Sequence, residues 1–114
     1  MRSKIFALSK NEDFKTLITK KKISNKYVTI FFGNLVNKNN RKLNISFVVK
    51  KKIGNAVKRN RIKRKLRAIV MKLLKINGAI NLNYTYIVFG KERSYKENHK
   101  TLYEAMIKGF KIKT

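Results

Sequence analysis

A block of basic residues from Lys50 to Arg67 carries the strongest chemical signal in the sequence. Ten of its eighteen positions are Lys or Arg, and none is acidic. Gly54 and Asn55 interrupt it with a turn and a helix start. Cations neutralise phosphates, arginine forks bind two phosphate oxygens at once, and free N–H groups at a helix start favour anions. The block therefore indicates binding to phosphates, and the alternative for a charge run of this kind is a solvated helix face.

The net charge of the whole chain favours the phosphate interpretation. The 114 residues include 30 Lys and Arg but five Asp and Glu, which gives a formal charge of +25. No carboxylate occurs between Asp13 and Glu92, so the cations in this interval have no local counter-charges. Such an excess opposes folding by self-repulsion. We therefore expect a polyanionic partner.

If protein side chains hydrolysed a phosphodiester bond, they would have to include clustered carboxylates for metal ions or histidines for acid–base chemistry. The five acids are Glu12, Asp13, Glu92, Glu97 and Glu104. Helix capping explains the first two and Glu97, and the other two stand apart. His99 has helical spacing from apolar residues and is expected to be a partly buried packing residue. No catalytic residue and no metal ligand is predicted.

The composition predicts a single domain, from residue 1 to residue 114, in a cytoplasmic protein. A chain of this length with 43% hydrophobic residues can build one core. The absence of cysteine fits a reducing cytosol. The longest apolar runs are far shorter than the roughly 20 residues of a membrane span, and no apolar leader follows Met1. We expect no membrane contact.

The first third of the chain predicts a short helix followed by a strand. Ser9 and Glu12 have the spacing of a capping box, so a helix should begin at about Lys10. Its apolar side would consist of Phe14, Leu17 and Ile18, and Lys20, Lys21 and Lys22 would mark its end. A strand is predicted from Tyr27 to Phe32 because these residues are β-branched or aromatic.

The next strand, from Lys42 to Val49, alternates in polarity. One face carries Leu43, Ile45, Phe47 and Val49, and the other carries Asn44, Ser46 and Val48. One face should therefore meet the core. Because a short connection separates this strand from the preceding one, we expect the two to pair as an antiparallel hairpin.

A long helix is predicted from Ala56 to Ile76, with Asn55 as its N-cap and Asn77-Gly78 at its end. Positions at 100° intervals form one apolar stripe, which consists of Ile62, Leu66, Ile69, Val70, Leu73 and Ile76. The opposite side carries Asn60, Lys63, Arg64 and Arg67, and Arg59 and Arg61 lie on the flanks. The helix should place the stripe on the core and the cations in solvent.

The last part of the chain predicts a strand from Tyr84 to Phe89 and a final helix. Ser94 and Glu97 form a second capping-box pattern. The apolar side of this helix would consist of Tyr95, Leu102, Tyr103, Met106 and Phe110. The element order is thus α, β, β, α, β, α, which predicts an α/β or α+β two-layer sandwich.

The run from Lys51 to Arg67, with the letters KKIGNAVKRNRIKRKLR, resembles the signature of the bacterial ribonuclease P protein subunit. The residues from Asn11 to Phe14, the chain length and the element order also fit this family. The resemblance implies a sandwich with a left-handed βαβ crossover, an exception to the usual rule. It also implies that the protein binds the catalytic RNA and precursor tRNA, needs no obligate protein partner, and assists removal of the 5′ leader. The RNA and its Mg²⁺ would perform the hydrolysis, and the protein alone would bind no cofactor.

The resemblance also implies two sets of binding residues. The residues for RNA binding are Lys50, Lys51, Lys52, Asn55, Lys58, Arg59, Asn60, Arg61, Lys63, Arg64 and Arg67. A cleft between the sheet and the first helix would hold the unpaired leader, with Phe14, Ile18 and Phe31 as its contacts. Ile18 stands where the family has a second aromatic residue. Stacking on Phe14 and Phe31 would suit any base, and a place for both in the core is the alternative.

Two other classes of protein fit part of the sequence. A small ribosomal protein would be equally basic and would also lack catalytic groups, so composition does not separate it from a ribonuclease P subunit. A protein-only nuclease would need a carboxylate cluster that the chain lacks. Only the ribonuclease P subunit should restore precursor-tRNA cleavage to a ribonuclease P RNA at low Mg²⁺.

Overall fold

The computed structural model describes residues 5–6, 15–34, 43–76, 78–81 and 83–110. In these ranges the strands are β1 (Ile5–Phe6), β2 (Lys21–Ser24), β3 (Val28–Gly33), β4 (Leu43–Val48) and β5 (Thr85–Gly90). The helices are α1 (Ala56–Leu73) and α2 (His99–Phe110), and short 3₁₀ turns span Lys51–Ile53 and Glu92–Ser94. The protein is thus an α/β sandwich, as predicted.

The five described strands form one sheet in the order β1-β4-β5-β3-β2. β5 lies between β3 and β4 and pairs antiparallel with β3 and parallel with β4. The expected hairpin between the strands now labelled β3 and β4 is therefore wrong. The hairpin partner of β3 is β2, a strand that the sequence analysis assigned to the basic end of the first helix.

β4, α1 and β5 form a βαβ unit of adjacent parallel strands, as the resemblance implies. The left-handed sense of its crossover stays a prediction. Helix α1 lies so close to the sheet at Gly90 that a side chain at this position would have no room. A Cβ atom at this position would lie 2.7 Å from Cγ2 of Ile62 and 3.2 Å from Cγ2 of Val49.

The main core lies between the helices and one face of the sheet. Five of the six residues in the predicted stripe of α1 are buried, and these are Ile62, Leu66, Ile69, Val70 and Leu73. The prediction for Ile76 is wrong: α1 ends at Leu73, and Ile76 is 43% exposed. The three predicted core residues Leu43, Ile45 and Val49 pack in the same cluster, and Phe47 packs at its margin.

The second face of the sheet carries a smaller cluster, which positions the candidate site. Leu17 and Ile87 are fully buried there, with Phe31, Val48 and Phe89 packed against them. Residues 15–17 are helical and supply Leu17. The predicted helix start, including Ser9, Glu12, Asp13 and Phe14, lies outside the described residues, as do Lys42 and Asn77.

The start of the last helix differs from the predicted capping box. α2 begins at His99, and its first turn is capped by Asn98, whose side-chain oxygen accepts a hydrogen bond from the N–H of Thr101 at 2.8 Å. Ser94 instead donates to the carbonyl of Lys91 at 2.6 Å. Leu102, Met106 and Phe110 are buried on α2, as predicted. His99 is exposed, so the expectation that it is partly buried is wrong.

Candidate nucleic-acid interface

A groove of about 800 Å³ opens on the second face of the sheet, and we call it the Phe31 groove. It runs between the segment at Ile18, strands β2, β3 and β5, and the turn that precedes α1. Its lining residues are Ile18, Lys22, Thr29, Phe31, Lys50, Lys52, Ile53, Phe89, Gly90, Lys91 and Glu92. Four lysines thus border an apolar floor, a combination that suits the phosphates and bases of a single strand.

Phe31 lies on the floor of this groove and is half-buried. Its ring meets that of Phe89 edge to face, with centroids 5.5 Å apart. The ammonium of Lys22 lies 5.9 Å from the Phe31 centroid. The side chain therefore packs in the small cluster and also presents part of its ring to the groove beside a cation.

The other two predicted leader contacts differ in what the structure shows. Ile18 lines the groove and is 46% exposed. Phe14 lies outside the described residues. Tyr27, which the predicted strand includes, precedes β3, packs against the main core and donates from its hydroxyl to Glu97 at 2.9 Å.

The predicted basic block is divided by the fold between two surfaces. Lys50 and Lys52 line the Phe31 groove, whereas Lys51 is exposed on the 3₁₀ turn beside it. The cations from Lys58 onward lie on α1. The break occurs at Gly54, where a Cβ atom would lie 2.6 Å from Cδ of Lys58. A single basic run in the sequence therefore supplies both the groove and the helix face.

The start of α1 is organised by two side chains of the predicted set. The side-chain oxygen of Asn55 accepts a hydrogen bond from the N–H of Lys58 at 2.9 Å, which confirms it as the N-cap. The Nε–H of Arg59 donates to the carbonyl of Gly54 at 3.1 Å. Asn55 and Arg59 thus hold the turn before α1 in place.

The outer face of α1 carries the rest of the predicted RNA-binding residues. Asn60, Arg61, Arg64 and Arg67 are exposed, and Lys63 is half-buried. The guanidinium of Arg67 lies over the Phe47 ring, 5.6 Å from its centroid. This contact is a cation–π interaction that holds Arg67 at the border between α1 and β4.

Lys58 has internal partners. Its ammonium lies 3.1 Å from the carboxylate of Glu92 and 4.9 Å from the centroid of the Tyr95 ring. Glu92 also lines the Phe31 groove. The contact between Lys58 and Glu92 therefore joins the first turn of α1 to the rim of the groove, which no sequence spacing predicted.

Lys65 has a structural role that the sequence did not indicate. Its ammonium donates to the carbonyls of Ser94, Tyr95 and Glu97 at 2.9, 2.8 and 2.8 Å. Partial burial lowers the pKa of Lys65, and the nearby Glu97 carboxylate opposes this effect. The side chain anchors the loop before α2 to the basic helix. In the sequence, nothing distinguishes Lys65 from the other nine cations of the basic block.

Two of the carboxylates in the described ranges, those of Glu92 and Glu97, make contacts within the protein. Glu97 accepts from the N–H of Asn98 and from the hydroxyl of Tyr27, and these bonds lower its pKa. No three His, Asp or Glu side chains among the described residues lie close enough to hold a metal ion together. Neither described helix is long and apolar enough to cross a membrane.

The comparisons with known proteins agree on one protein family. The family model described as Ribonuclease P matches residues 3–113. A ribonuclease P protein component from Bacillus pumilus is 34% identical over 100 residues, which cover 83% of this chain and 80% of the relative. One from Streptococcus agalactiae is 28% identical over 110 residues, covering 96% and 94%. The solved structure of the Thermotoga maritima RNase P protein is similar in fold, with a TM-score of 0.72 at 23% identity over 96% of this chain and 99% of that one.

Proposed function

The chain belongs to the ribonuclease P protein family, and on this premise we propose that it is the protein subunit that helps a catalytic RNA remove the 5′ leader from precursor tRNA. Because of its family, the protein is a component of a ribonuclease. Its partners are the ribonuclease P RNA and precursor tRNA, and its location is the cytoplasm. The comparisons give no support to the ribosomal alternative.

The leader-binding part of this proposal is supported by the shape and lining of the Phe31 groove. It combines a half-buried aromatic ring with Lys22, Lys50 and Lys52 along one concave surface. Lys91 also lines this surface, and its ammonium donates to the Ser24 hydroxyl and to the carbonyl of Asn25. A single strand exposes both its phosphates and the faces of its bases, so such a groove can bind it without reading sequence. A duplex hides its base faces and would gain less from Phe31.

The outer face of α1 fits the catalytic RNA. Arg61 and Arg64 are exposed on a rigid helix whose other side is fixed to the sheet by buried residues. Arginine on a rigid support can bind phosphate oxygens in pairs with little further loss of side-chain freedom. The two surfaces together would hold the leader at a fixed place relative to the RNA subunit.

In this proposal the RNA and its bound Mg²⁺ cleave the phosphodiester bond, and the protein contributes no catalytic residue and no cofactor of its own. The described side chains support this division because they supply cations and aromatic surface for binding. Neutralising phosphates near the cleavage site lowers the repulsion that a precursor tRNA meets when it docks on an RNA enzyme. The protein would therefore lower the Mg²⁺ concentration that cleavage requires.

The leader contact is tested with Phe31→Leu in the reconstituted complex of protein and RNA. We expect weaker binding of precursor tRNA, by about 1 kcal/mol or more if a base stacks on the ring, and unchanged binding of mature tRNA. Phe32→Leu is the matched control, because Phe32 is buried on the opposite face of β3. Equal weakening of both tRNAs by Phe31→Leu would assign the ring to the core alone.

A further inference from the structure

A second concave surface, of about 500 Å³, adjoins the Phe31 groove, and we call it the Tyr95 hollow. It is lined by Lys26, Tyr27, Lys58, Glu92, Arg93, Tyr95, Lys96 and Glu97. Glu92 lines both surfaces, and its neighbour Lys91 lines the groove. An RNA strand that leaves the groove along the end of β5 therefore enters the hollow next.

The charge of the Tyr95 hollow is positive despite its two carboxylates. Glu92 is paired with Lys58, and Glu97 accepts hydrogen bonds from Tyr27 and from the N–H of Asn98. Within the described part of the chain, no hydrogen bond is donated by the three other cations, which are Lys26, Arg93 and Lys96. All three cations are exposed, so an external anion can reach them, and the charge of Lys26 also acts on the Glu97 carboxylate.

The wall of the hollow is held in place before any ligand arrives. Lys65 binds the carbonyls of Ser94, Tyr95 and Glu97 from behind. The Tyr95 ring is half-buried and packs against the main core, with the ammonium of Lys58 over its face. Because the loop is already ordered, binding there costs little conformational entropy.

We propose that the Tyr95 hollow is a second subsite for single-stranded RNA, which takes leader nucleotides that extend beyond the Phe31 groove. The inference rests on the proposed function, since it assigns the hollow to the same leader. A phosphate would lie among Lys26, Arg93 and Lys96, and a base would pack against the exposed part of the Tyr95 ring. Cations beside an aromatic ring are the combination that binds unpaired nucleotides irrespective of sequence.

The test uses the complex of protein and ribonuclease P RNA with precursor tRNAs whose leaders are lengthened one nucleotide at a time. The first variant is Tyr95→Leu, which keeps apolar packing and removes the ring. The second is Arg93→Ala with Lys96→Ala, both exposed positions where loss of folding is not expected. Its matched control is Lys75→Ala with Lys100→Ala, which removes two exposed charges outside both surfaces.

With the unaltered protein, affinity should rise with leader length in two stages, one for each surface. Both hollow variants should lose the second stage, by about fivefold or more for a stacked base, and should bind short-leader precursors normally. The salt dependence for long leaders should fall by about 0.7 for each lost phosphate contact. The control pair should retain both stages.

Two results would overturn the inference alone. One is a second stage that survives both hollow variants, and the other is an equal loss for long leaders, short leaders and mature tRNA, which would place the hollow against the body of the tRNA. If the unaltered protein shows no dependence on leader at all, the proposed function itself fails. Because Phe31→Leu acts on the first stage, the two failures are distinguishable.

Discussion

The ammonium of Lys58 lies 3.1 Å from the carboxylate of Glu92, so a cation of the basic block is already paired within the protein. The Glu92 side chain is 69% exposed, whereas that of Lys58 is 25% exposed. An ion pair this accessible contributes about 0–1 kcal/mol to stability. RNA phosphates can therefore replace the carboxylate at little cost, at the point where the Phe31 groove and the Tyr95 hollow meet.

Replacing Glu92 with Gln should strengthen binding of precursor tRNA. The change removes a negative charge from the rim of the groove and frees Lys58 to contact a phosphate. The slope of log affinity against log salt should become steeper by about 0.7 for that contact. Titration of the reconstituted complex across several salt concentrations measures both effects. Glu104→Gln is the control, since it removes one exposed carboxylate from α2, and an equal gain from it would show that net charge alone is responsible.

Arg64→Ala should weaken assembly with the catalytic RNA and reduce the salt slope of that binding by about 0.7–0.9. Arg64 is exposed on the outer face of α1. Lys65→Ala is the adjacent comparison, because it leaves three carbonyls without their ammonium donor. It should lower the thermal midpoint and leave the slope close to that of the unaltered protein. Identical behaviour of the two variants would contradict the division of roles on α1.

Gly90→Ala should destabilise the protein by about 1–3 kcal/mol, the usual cost of overpacking. The new Cβ atom would lie 2.7 Å from Cγ2 of Ile62, 3.1 Å from Cδ1 of Leu66 and 3.2 Å from Cγ2 of Val49. All three partners belong to the buried core, so none can move freely. Urea denaturation measures the change. Val57→Ala, at a position that is 69% exposed, should change stability by no more than about 0.5 kcal/mol.

Acid should reduce stability through Glu97. Hydrogen bonds from the N–H of Asn98 and the hydroxyl of Tyr27 lower the pKa of this carboxyl below its ordinary value of 4.5. The folded state therefore favours the ionised form, and its stabilising effect is complete above the unfolded-state pKa. The effect is lost as the pH falls through the lowered pKa. Thermal midpoints of the protein and of Glu97→Gln should converge in this acid range, and a constant difference between them would contradict the assignment.

The elements that depend on local pattern were predictable from the sequence. Alternation in β4 identified its core face, and the 3.6-residue period of α1 gave six core positions, five of which are buried. Asn55 was predicted as the N-cap because its side chain bonds within its own turn. Ile76 was assigned to the stripe because periodicity does not show that the helix stops at Leu73.

Features that depend on distant partners were not predictable in the same way. β3 and β4 are close in sequence, but β5 separates them in the sheet because it pairs with both. Glu97 has capping-box spacing from Ser94, yet its carboxylate is bound by Tyr27, 70 residues away. The division of the basic block between two surfaces and the internal use of Lys65 likewise arise from tertiary contacts.

The central claim is that this protein holds the leader for cleavage by a catalytic RNA. The most direct measurement is the rate of leader removal from precursor tRNA by a ribonuclease P RNA over a series of Mg²⁺ concentrations, with and without the protein. The account predicts that the protein restores cleavage at low Mg²⁺ and that it cleaves nothing when the RNA is omitted. Cleavage by the protein alone, or an RNA reaction whose Mg²⁺ dependence the protein leaves unchanged, would contradict it.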